Sequence, residues 1–204
     1  MRKILAAGLL AFLGLSAPAL AQGVGSGSTM QASGVWLPPT PGSTLTRATG
    51  TSAYSANSII CPASGCAAGT ISIAQTNAGK AAINRVNLLK SGSSTTSANF
   101  TIWFFGNAPT IPATDGLAYV GPYAADFGKL VGYLGSATCT TPNATNDGTA
   151  QVWFECSLSN PNSSGVSVAS AAYGGTTIYY LISATAAYTP AASETFTPIV
   201  SGVY

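Results

Sequence analysis

Short segments in which apolar and polar residues alternate recur along the chain and predict a protein built of β-strands. Residues 99–105 form the most apolar segment, in which Phe100, Ile102 and Phe104 share one face and their neighbours share the other. Apolar side chains on both faces indicate a central strand that is covered on both sides. Weaker patterns predict further strands at residues 70–74, 83–90, 130–134, 150–156, 165–169, 176–183 and 195–200.

Loops dense in glycine, proline, asparagine and serine separate these segments. They occupy residues 91–98, 107–114, 140–148 and 159–165. Residues 122–128 offer a possible helical turn, and Pro198 makes the last segment an edge strand or a bulged strand. About eight short strands with regular turn signals predict an all-β fold, namely an antiparallel β-sandwich of the jelly-roll type.

The N-terminal residues match a secretory signal peptide. Arg2 and Lys3 are followed by an apolar run at residues 4–15 and by small residues that end at Ala21. Because roughly 20 apolar residues are needed to span a bilayer, an uncleaved anchor fits less well, as does a buried N-terminal helix. We expect residues 1–21 to be removed and the protein to be exported to the periplasm or the extracellular space, without stable membrane insertion.

Composition divides the remaining chain into two parts. Residues 22–46 are rich in glycine, serine and proline, which predicts a flexible and partly extended N-terminal segment. Within it, the apolar residues 35–37, which include Trp36, are either a short edge strand that docks on the domain or a contact for a partner. Residues 47–204 then form one β-sandwich domain, and their number suits a single domain.

The charge balance bears on the partners of the protein. Only 6% of the residues are charged, and the formal net charge of +2 includes Arg2 and Lys3, which leave with the signal peptide. Five basic and five acidic residues remain, so the exported chain is formally neutral. A neutral chain has no electrostatic attraction for nucleic acid or anionic lipid. It also has little charge repulsion, which favours assembly or association with a surface.

Four cysteines, Cys61, Cys66, Cys139 and Cys156, predict two disulfides in an exported chain. Three pairings are possible. The proline and glycine between Cys61 and Cys66 favour a local bridge, and Cys139 and Cys156 then join neighbouring strands. A zinc site would need all four thiolates, because the chain has no histidine, and it also lacks a CxxC pair. We expect no metal and no other cofactor.

The residues that most enzymes use for catalysis are scarce. The chain has no histidine, which removes the usual general base and the Ser-His and Cys-His arrangements. Its five acidic residues are scattered, whereas a glycosidase needs two carboxyls about 5–10 Å apart. Asp115 with Gly116, and residues 146–148, resemble calcium loops, but a single carboxylate per loop suits an ordinary turn better. We therefore predict no enzymatic activity and no catalytic residues.

Aromatic residues are the remaining candidates for contact with a ligand. Trp36, Trp103 and Trp153 could form a platform on which sugar rings stack, as in carbohydrate-binding modules. Alternatively, these aromatic residues pack in the core or on a sheet face, as aromatic residues of strands commonly do. Both interpretations stay open at the level of the sequence.

Four blocks of the chain resemble, in the same order, a family of small structural proteins encoded by tailed phages and prophages. The blocks lie at residues 46–57, at 83–97 leading into 100–105 and 108–110, at 124–133, and at 177–181 with 186–190 and 194–196. The resemblance implies a β-rich virion-surface or head-decoration protein that works as an assembled unit and has no known chemistry. The signal peptide and the cysteines lie outside the family pattern. A phage-derived gene recruited for export in a bacterium would account for both.

Two functions follow from these patterns. The first is a non-enzymatic, exported structural or interaction protein that resembles phage decoration proteins. Its partner would be a protein, met through self-assembly or on the surface of a particle or cell, and a phage-encoded copy would be virion-associated. The second is a secreted carbohydrate-binding or adhesin-like β-sandwich module, whose partner is a glycan. Neither function involves nucleic acid.

Overall fold

A computed structural model of the chain describes residues 36–48, 50, 52–73, 80–92, 98–112, 114–122, 133–144, 151–159, 166–169 and 177–203. Within these ranges the regular secondary structure consists of β-strands. The strands are β1 (Trp36–Pro41), β2 (Leu45–Thr46), β3 (Ser58–Ile60), β4 (Gly69–Ser72), β5 (Lys80–Ser91), β6 (Phe100–Phe105), β7 (Tyr133–Ala144), β8 (Gln151–Ser159), β9 (Val166–Ala169), β10 (Thr177–Ala184) and β11 (Thr195–Val203).

All of these strands belong to one antiparallel sheet. The main path through the sheet follows the order β1, β11, β5, β8, β7, β6, β10, β3. The other three strands attach beside this path, because β2 pairs with β11, β9 with β5 and β4 with β10. The sheet curls into a half-barrel, in the direction that the natural twist of neighbouring strands allows.

The link between β1 and β2 holds the two sides of the curled sheet together. The amide of Gly42 donates to the carbonyl of Pro198 in β11 at 2.8 Å, and the amide of Ser43 donates to the carbonyl of Thr70 in β4 at 2.7 Å. The amide of Thr70 donates in turn to Ser43 Oγ at 2.9 Å. The hydroxyl of Tyr180 in β10 donates to the carbonyl of Ser43. Strands near opposite ends of the path are therefore joined through this link.

One face of the curled sheet carries the main hydrophobic core. The ring of Phe100 makes edge-to-face contacts with Phe154, Tyr188 and Phe196, with ring centroids 5.2–5.5 Å apart. All four side chains are fully buried. Each buried phenylalanine contributes about 1.5–3 kcal/mol relative to an exposed one. These four rings, drawn from three strands and one loop, are therefore a principal source of the stability of the fold.

The opposite face of β6 and β10 carries a second apolar cluster. Phe105 and Leu181 of these strands pack there with Ile59 and Tyr119. The segment that contains Gly116 and Leu117, which we call the covering segment, lies against β3. Two backbone hydrogen bonds hold it there, because Ile59 donates to the carbonyl of Leu117 at 2.8 Å and accepts from Gly116 at 3.0 Å. Strand β6 is thus covered on both faces, as its apolar pattern predicts.

Proline protects one end of the strand path. Strand β1 is the first strand of the path and contains Pro38, Pro39 and Pro41. Because proline has no amide hydrogen, it cannot complete a ladder with an incoming strand. The proline-rich segment is extended, as predicted. It forms a sheet edge to which a further strand cannot readily add.

Strand β11 is an inner strand rather than the edge strand that Pro198 suggested. It pairs with β5 on one side and with β1 and β2 on the other. The carbonyl of Pro198 accepts from Gly42 in the link between β1 and β2. In an antiparallel strand the amide and the carbonyl of one residue face the same side, so the nitrogen of Pro198, which carries no hydrogen, also faces this link. The proline falls in the break between these two ladders and removes no ladder bond. A register shift does occur nearby, between Ser201 and Gly202.

The predicted class, all-β and antiparallel, is confirmed. The observed architecture is a single curled sheet, whereas the sequence suggested the two packed sheets of a sandwich or jelly roll. Strands β1 and β2 lie inside residues 22–46, which the sequence suggested were flexible, and β3 was not predicted. The strand expected at residues 130–134 is β7, which begins at Tyr133 and continues through much of the loop expected at 140–148. The expected signal peptide, and the helical turn beyond residue 122, lie outside the described residues.

Candidate functional site

A buried ion pair lies where β5 ends and β11 begins. The ammonium of Lys90 is 2.5 Å from Glu194 Oε1, and both side chains are fully buried. Lys90 also donates to the carbonyls of Ser91 at 3.1 Å and Gly92 at 2.9 Å. The hydroxyl of Tyr188 donates to the second carboxylate oxygen of Glu194. The ammonium and both carboxylate oxygens therefore all have partners in this Lys90 cluster (Lys90, Tyr188 and Glu194).

Tyr188 is held in its neutral form by these surroundings. Burial raises the pKa of the Tyr188 hydroxyl far above its ordinary value, and the hydrogen bond and negative charge of Glu194 raise it further. A phenolate at this place would be desolvated and would face a carboxylate. Tyr188 therefore acts as a hydrogen-bond donor and not as a base.

A second polar cluster joins three loops. Arg47 is 4% exposed, donates through Nε to the hydroxyl of Tyr54 and donates through Nη1 to the carbonyl of Gly50 at 2.8 Å. Its Nη2 lies 3.6 Å from Asp115 Oδ2. The Tyr54 hydroxyl donates to the Asp115 carboxylate at 2.8 and 2.9 Å, and the amide of Cys61 donates to Asp115 Oδ1 at 2.8 Å. We call this set the Arg47 cluster (Arg47, Tyr54 and Asp115).

The two clusters are adjacent because their tyrosines pair through the backbone. The amide of Tyr54 donates to the carbonyl of Tyr188 at 2.8 Å, and the reverse bond measures 3.2 Å. Burial, followed by the hydrogen bond and charge of Asp115, raises the pKa of Tyr54, and the hydrogen bond and charge of Arg47 oppose this only in part. Both tyrosines are thus neutral donors to carboxylates. The two clusters connect loops and strand ends, which is a structural role.

Asp115 and Gly116 form a turn, in agreement with the sequence interpretation that preferred a turn to a calcium loop. Gly116 has a φ of 81°, which favours glycine. Across the described ranges, no group of three or more histidine, cysteine, aspartate or glutamate residues is arranged to hold a metal ion. The other candidate loop, residues 146–148, lies outside the described residues. No helix long and apolar enough to cross a membrane occurs in the part of the chain that the structure describes.

Both disulfides have the pairing that the cysteine spacing favoured. Cys61 is bonded to Cys66, five positions further along the chain. Cys139 of β7 is bonded to Cys156 of β8, and the two residues are directly opposite each other in the ladder. Two disulfides are typical of an oxidising compartment outside the cytoplasm.

The candidate tryptophans occupy different environments. Trp103 of β6 is half-buried in the second apolar cluster, where its Nε1 donates to Ser183 Oγ at 3.0 Å. Its ring meets Tyr119 edge to face, with centroids 5.7 Å apart. These contacts make Trp103 a packing residue. Trp36 begins β1, and its side chain is outside the described part of the structure.

Trp153 is separated from Trp103 along the sheet. Trp103 pairs with Ser136 of β7, and Ser136 pairs with Ser159 of β8. Trp103 is therefore level with Ser159, which lies six residues beyond Trp153. At about 3.3 Å per residue this corresponds to roughly 20 Å along the strand. The two indoles therefore do not form the common platform that the sequence allowed.

The outer face of β5 and β8 presents Trp153 in a polar setting. Because Phe154 belongs to the main core, its neighbours Trp153 and Glu155 face outward. Trp153 is half-buried and lies opposite Leu89 of β5, and Glu155 lies opposite Asn87. An apolar pair, Trp153 with Leu89, and a polar pair, Glu155 with Asn87, thus follow each other on one sheet face.

A cleft of about 570 Å³ opens beside this polar pair. Strand β5 pairs with β9 up to residue 83 and with β8 from residue 86, so the ladder on this side is interrupted between the two. An ion pair lies at the cleft, with Arg85 Nη2 2.6 Å from Glu155 Oε1 and the two side chains 58% and 62% exposed. The walls consist of residues 84–87 of β5 and 155–158 of β8.

No protein-family model matches the chain, and no curated protein is significantly similar to it. The site is therefore interpreted from its own geometry.

Sequence reasoning missed both polar clusters and the cleft. One signal for the Lys90 cluster was available, because Lys90 continues the alternation of the buried residues Val86 and Leu88. A cation at an inward-facing position requires a buried anion. Its partner Glu194 is 104 positions away, so its identity depends on the pairing of β5 with β11.

Proposed function

We propose that this chain is a non-enzymatic structural or interaction protein that acts outside the cytoplasm, in a role resembling that of phage decoration proteins. The observation that carries the proposal is the state of the described acids. Asp115 pairs with Arg47, Glu155 with Arg85 and Glu194 with Lys90. Acid–base hydrolysis needs two carboxyls that face one cleft. Three acids that each neutralise a cation at a different place suit a structural role instead.

Both ends of the strand path are protected against the addition of a strand from a partner protein. The proline-rich β1 guards one end of the strand path, and the covering segment that contains Gly116 and Leu117 occupies the free edge of β3 at the other end. Addition of a strand from a partner is hindered at both places. A protein partner would therefore meet the outer face of the sheet or its loops.

Binding and assembly of the purified protein test this proposal. The disulfide-bonded protein would be examined by sedimentation velocity over a hundredfold range of concentration. It would then be labelled with a fluorophore and mixed with intact cells and with purified phage particles of the producing bacterium. We expect either concentration-dependent assembly or saturable binding to one of the two surfaces. A strictly monomeric protein that binds neither surface would contradict the proposal.

A carbohydrate-binding or adhesin-like module is the second candidate function. The observation that favours it is the position of Trp153, which is half-buried on the outer face of the sheet. By strand periodicity Trp153 lies on the same side of β8 as the cleft residue Glu155, two positions further along. Cell binding that a soluble neutral oligosaccharide abolishes would distinguish this function from binding to a protein surface. Cell binding that survives an excess of oligosaccharide would favour the first function.

A further inference from the structure

We propose that the cleft between β5 and β8 binds a neutral sugar, with Asn87 as the hydrogen-bonding anchor and Trp153 as the surface on which the sugar ring stacks. This inference rests on the second proposed function, glycan binding. It adds the location of the site, the class of ligand and the roles of two residues.

Asn87 is the strongest single indication that the cleft binds a ligand. The residue lines the cleft and is only 6% exposed, and its Oδ1 is buried without a hydrogen-bond partner. Buried polar atoms in native proteins nearly always have partners, because an unpaired one retains its full cost of desolvation. A ligand hydroxyl in the cleft would satisfy this oxygen by donating to it, once the amide of Asn87 turns its oxygen toward the cleft.

The electrostatics of the cleft favour an uncharged ligand. Arg85 and Glu155 neutralise each other across 2.6 Å. The remaining polar side chains of the walls are Asn84, Asn87 and Ser157, which are uncharged and can both donate and accept hydrogen bonds. A ligand that carries several hydroxyls matches this set, because each hydroxyl also donates and accepts.

Trp153 supplies an apolar surface beside the cleft. It precedes Glu155 on the outward side of β8, and it lies opposite Leu89, next to the pair of Asn87 and Glu155. A pyranose has hydroxyls around its edge and C–H groups on its faces, so it can stack on an indole while its edge reaches polar groups nearby. The cleft volume of about 570 Å³ lies within the usual range for small-molecule sites.

Two substitutions test the assigned roles. Asn87→Leu keeps the approximate size of the side chain and removes the unpaired oxygen. Trp153→Leu keeps an apolar contact with Leu89 and removes the flat ring. Asn107→Leu is the matched control, since Asn107 is an exposed asparagine that follows β6, and β7 separates β6 from β8.

Binding would be measured by isothermal titration calorimetry with the disulfide-bonded protein. The probes are the neutral hexasaccharides of β-1,4-glucose, α-1,4-glucose, β-1,4-xylose and β-1,4-N-acetylglucosamine. We expect at least one probe to bind, with affinity reduced about tenfold by Asn87→Leu and by Trp153→Leu, as the loss of one hydrogen bond or one stacking contact implies. Asn107→Leu should bind as the unaltered protein does.

The possible failures are distinguishable. If a probe binds and neither Asn87→Leu nor Trp153→Leu weakens it, the cleft is not the site, although the glycan-binding function stands. If none of the four probes binds, both the inference and the second proposed function are overturned. The first proposed function is unaffected by either result.

The melting temperature provides an independent readout that needs no ligand. If Asn87 is retained for a ligand, then Asn87→Leu removes an unsatisfied buried oxygen and should raise the melting temperature of the free protein by about 2–4 °C. If Asn87 is instead a structural residue, the same change lowers the melting temperature. A decrease would overturn the role assigned to Asn87.

Discussion

Two ion pairs of almost equal length occupy opposite environments in this protein. Lys90 and Glu194 are 2.5 Å apart and fully buried, whereas Arg85 and Glu155 are 2.6 Å apart and more than half exposed. A buried charge that loses its partner remains desolvated and uncompensated, whereas an exposed charge is simply hydrated. The two pairs therefore separate the effect of burial from that of distance.

We expect Lys90→Met to lower the free energy of unfolding by about 3–5 kcal/mol, because it leaves the carboxylate of Glu194 buried without a cation. Adding Glu194→Gln should restore much of this loss, since an amide can still accept from Tyr188 without carrying a charge. Urea denaturation measures both quantities. The control is Arg85→Met in the exposed pair, which should cost about 1 kcal/mol or less. Equal losses in the two pairs would refute the explanation.

At the scale of elements, the closure of the sheet depends on a glycine and a tyrosine in neighbouring strands. Gly69 of β4 lies directly opposite Tyr180 of β10, and a Cβ at Gly69 would overlap the ring of Tyr180. The ring also carries the hydroxyl that donates to the carbonyl of Ser43 in the link between β1 and β2. The absence of a side chain at Gly69 thus allows the tyrosine to reach the closing link.

We expect Gly69→Ala to destabilise the protein by about 1–3 kcal/mol, because the added methyl group displaces the Tyr180 ring. The control is Gly50→Ala, where nothing lies within 4 Å of the added Cβ, and its effect should stay within about 0.5 kcal/mol. Introducing both changes into a Tyr180→Leu background gives a double-mutant cycle by urea denaturation. The cost of Gly69→Ala should shrink in that background, and an undiminished cost would mean that another contact is responsible.

Strand β7 illustrates why elements were only partly predictable. It contains Gly135, Pro142 and Asn143, which are typical of turns, and few large apolar residues. Its hydrogen bonds come from β6 on one side and β8 on the other, with a disulfide to β8. Neighbouring strands therefore override local preference, whereas β6 was predictable because its own side chains are apolar on both faces.

At the scale of the whole molecule, three buried tyrosines make the free energy of unfolding depend on pH in the alkaline range. Burial raises the pKa of Tyr180 to about 12, and the pKa values of Tyr54 and Tyr188 are raised as well. In the unfolded chain tyrosine has a pKa of about 10. Above pH 10 the unfolded chain therefore loses protons that the folded protein keeps, and the free energy of unfolding must fall as pH rises.

We expect the free energy of unfolding to show no contribution from these tyrosines below about pH 9 and to decrease above pH 10. Each of the three contributes a slope of up to about 1.4 kcal/mol per pH unit until its folded pKa is reached. Urea denaturation between pH 8 and about pH 11.5 measures the slope, and absorbance at about 295 nm follows the tyrosinate. Tyr180→Phe should make the slope shallower by the share of one tyrosine. An unchanged slope in this variant would contradict the assignment.

Alternation of side chains along single strands was sufficient to establish the all-β class, the central position of β6 and most strand positions, because each depends on residues close together in the chain. The short spacing between Cys61 and Cys66 likewise favoured the observed pairing. The curl of the sheet, the closing link at Ser43 and the burial of Lys90 with Glu194 were decided only by tertiary structure. These features join residues about a hundred or more positions apart, or they depend on strands such as β2 and β3, which are too short to show an alternating pattern. Asn87 belongs to both levels: its outward position follows from alternation, but the cleft beside it lies where β5 changes partners from β9 to β8.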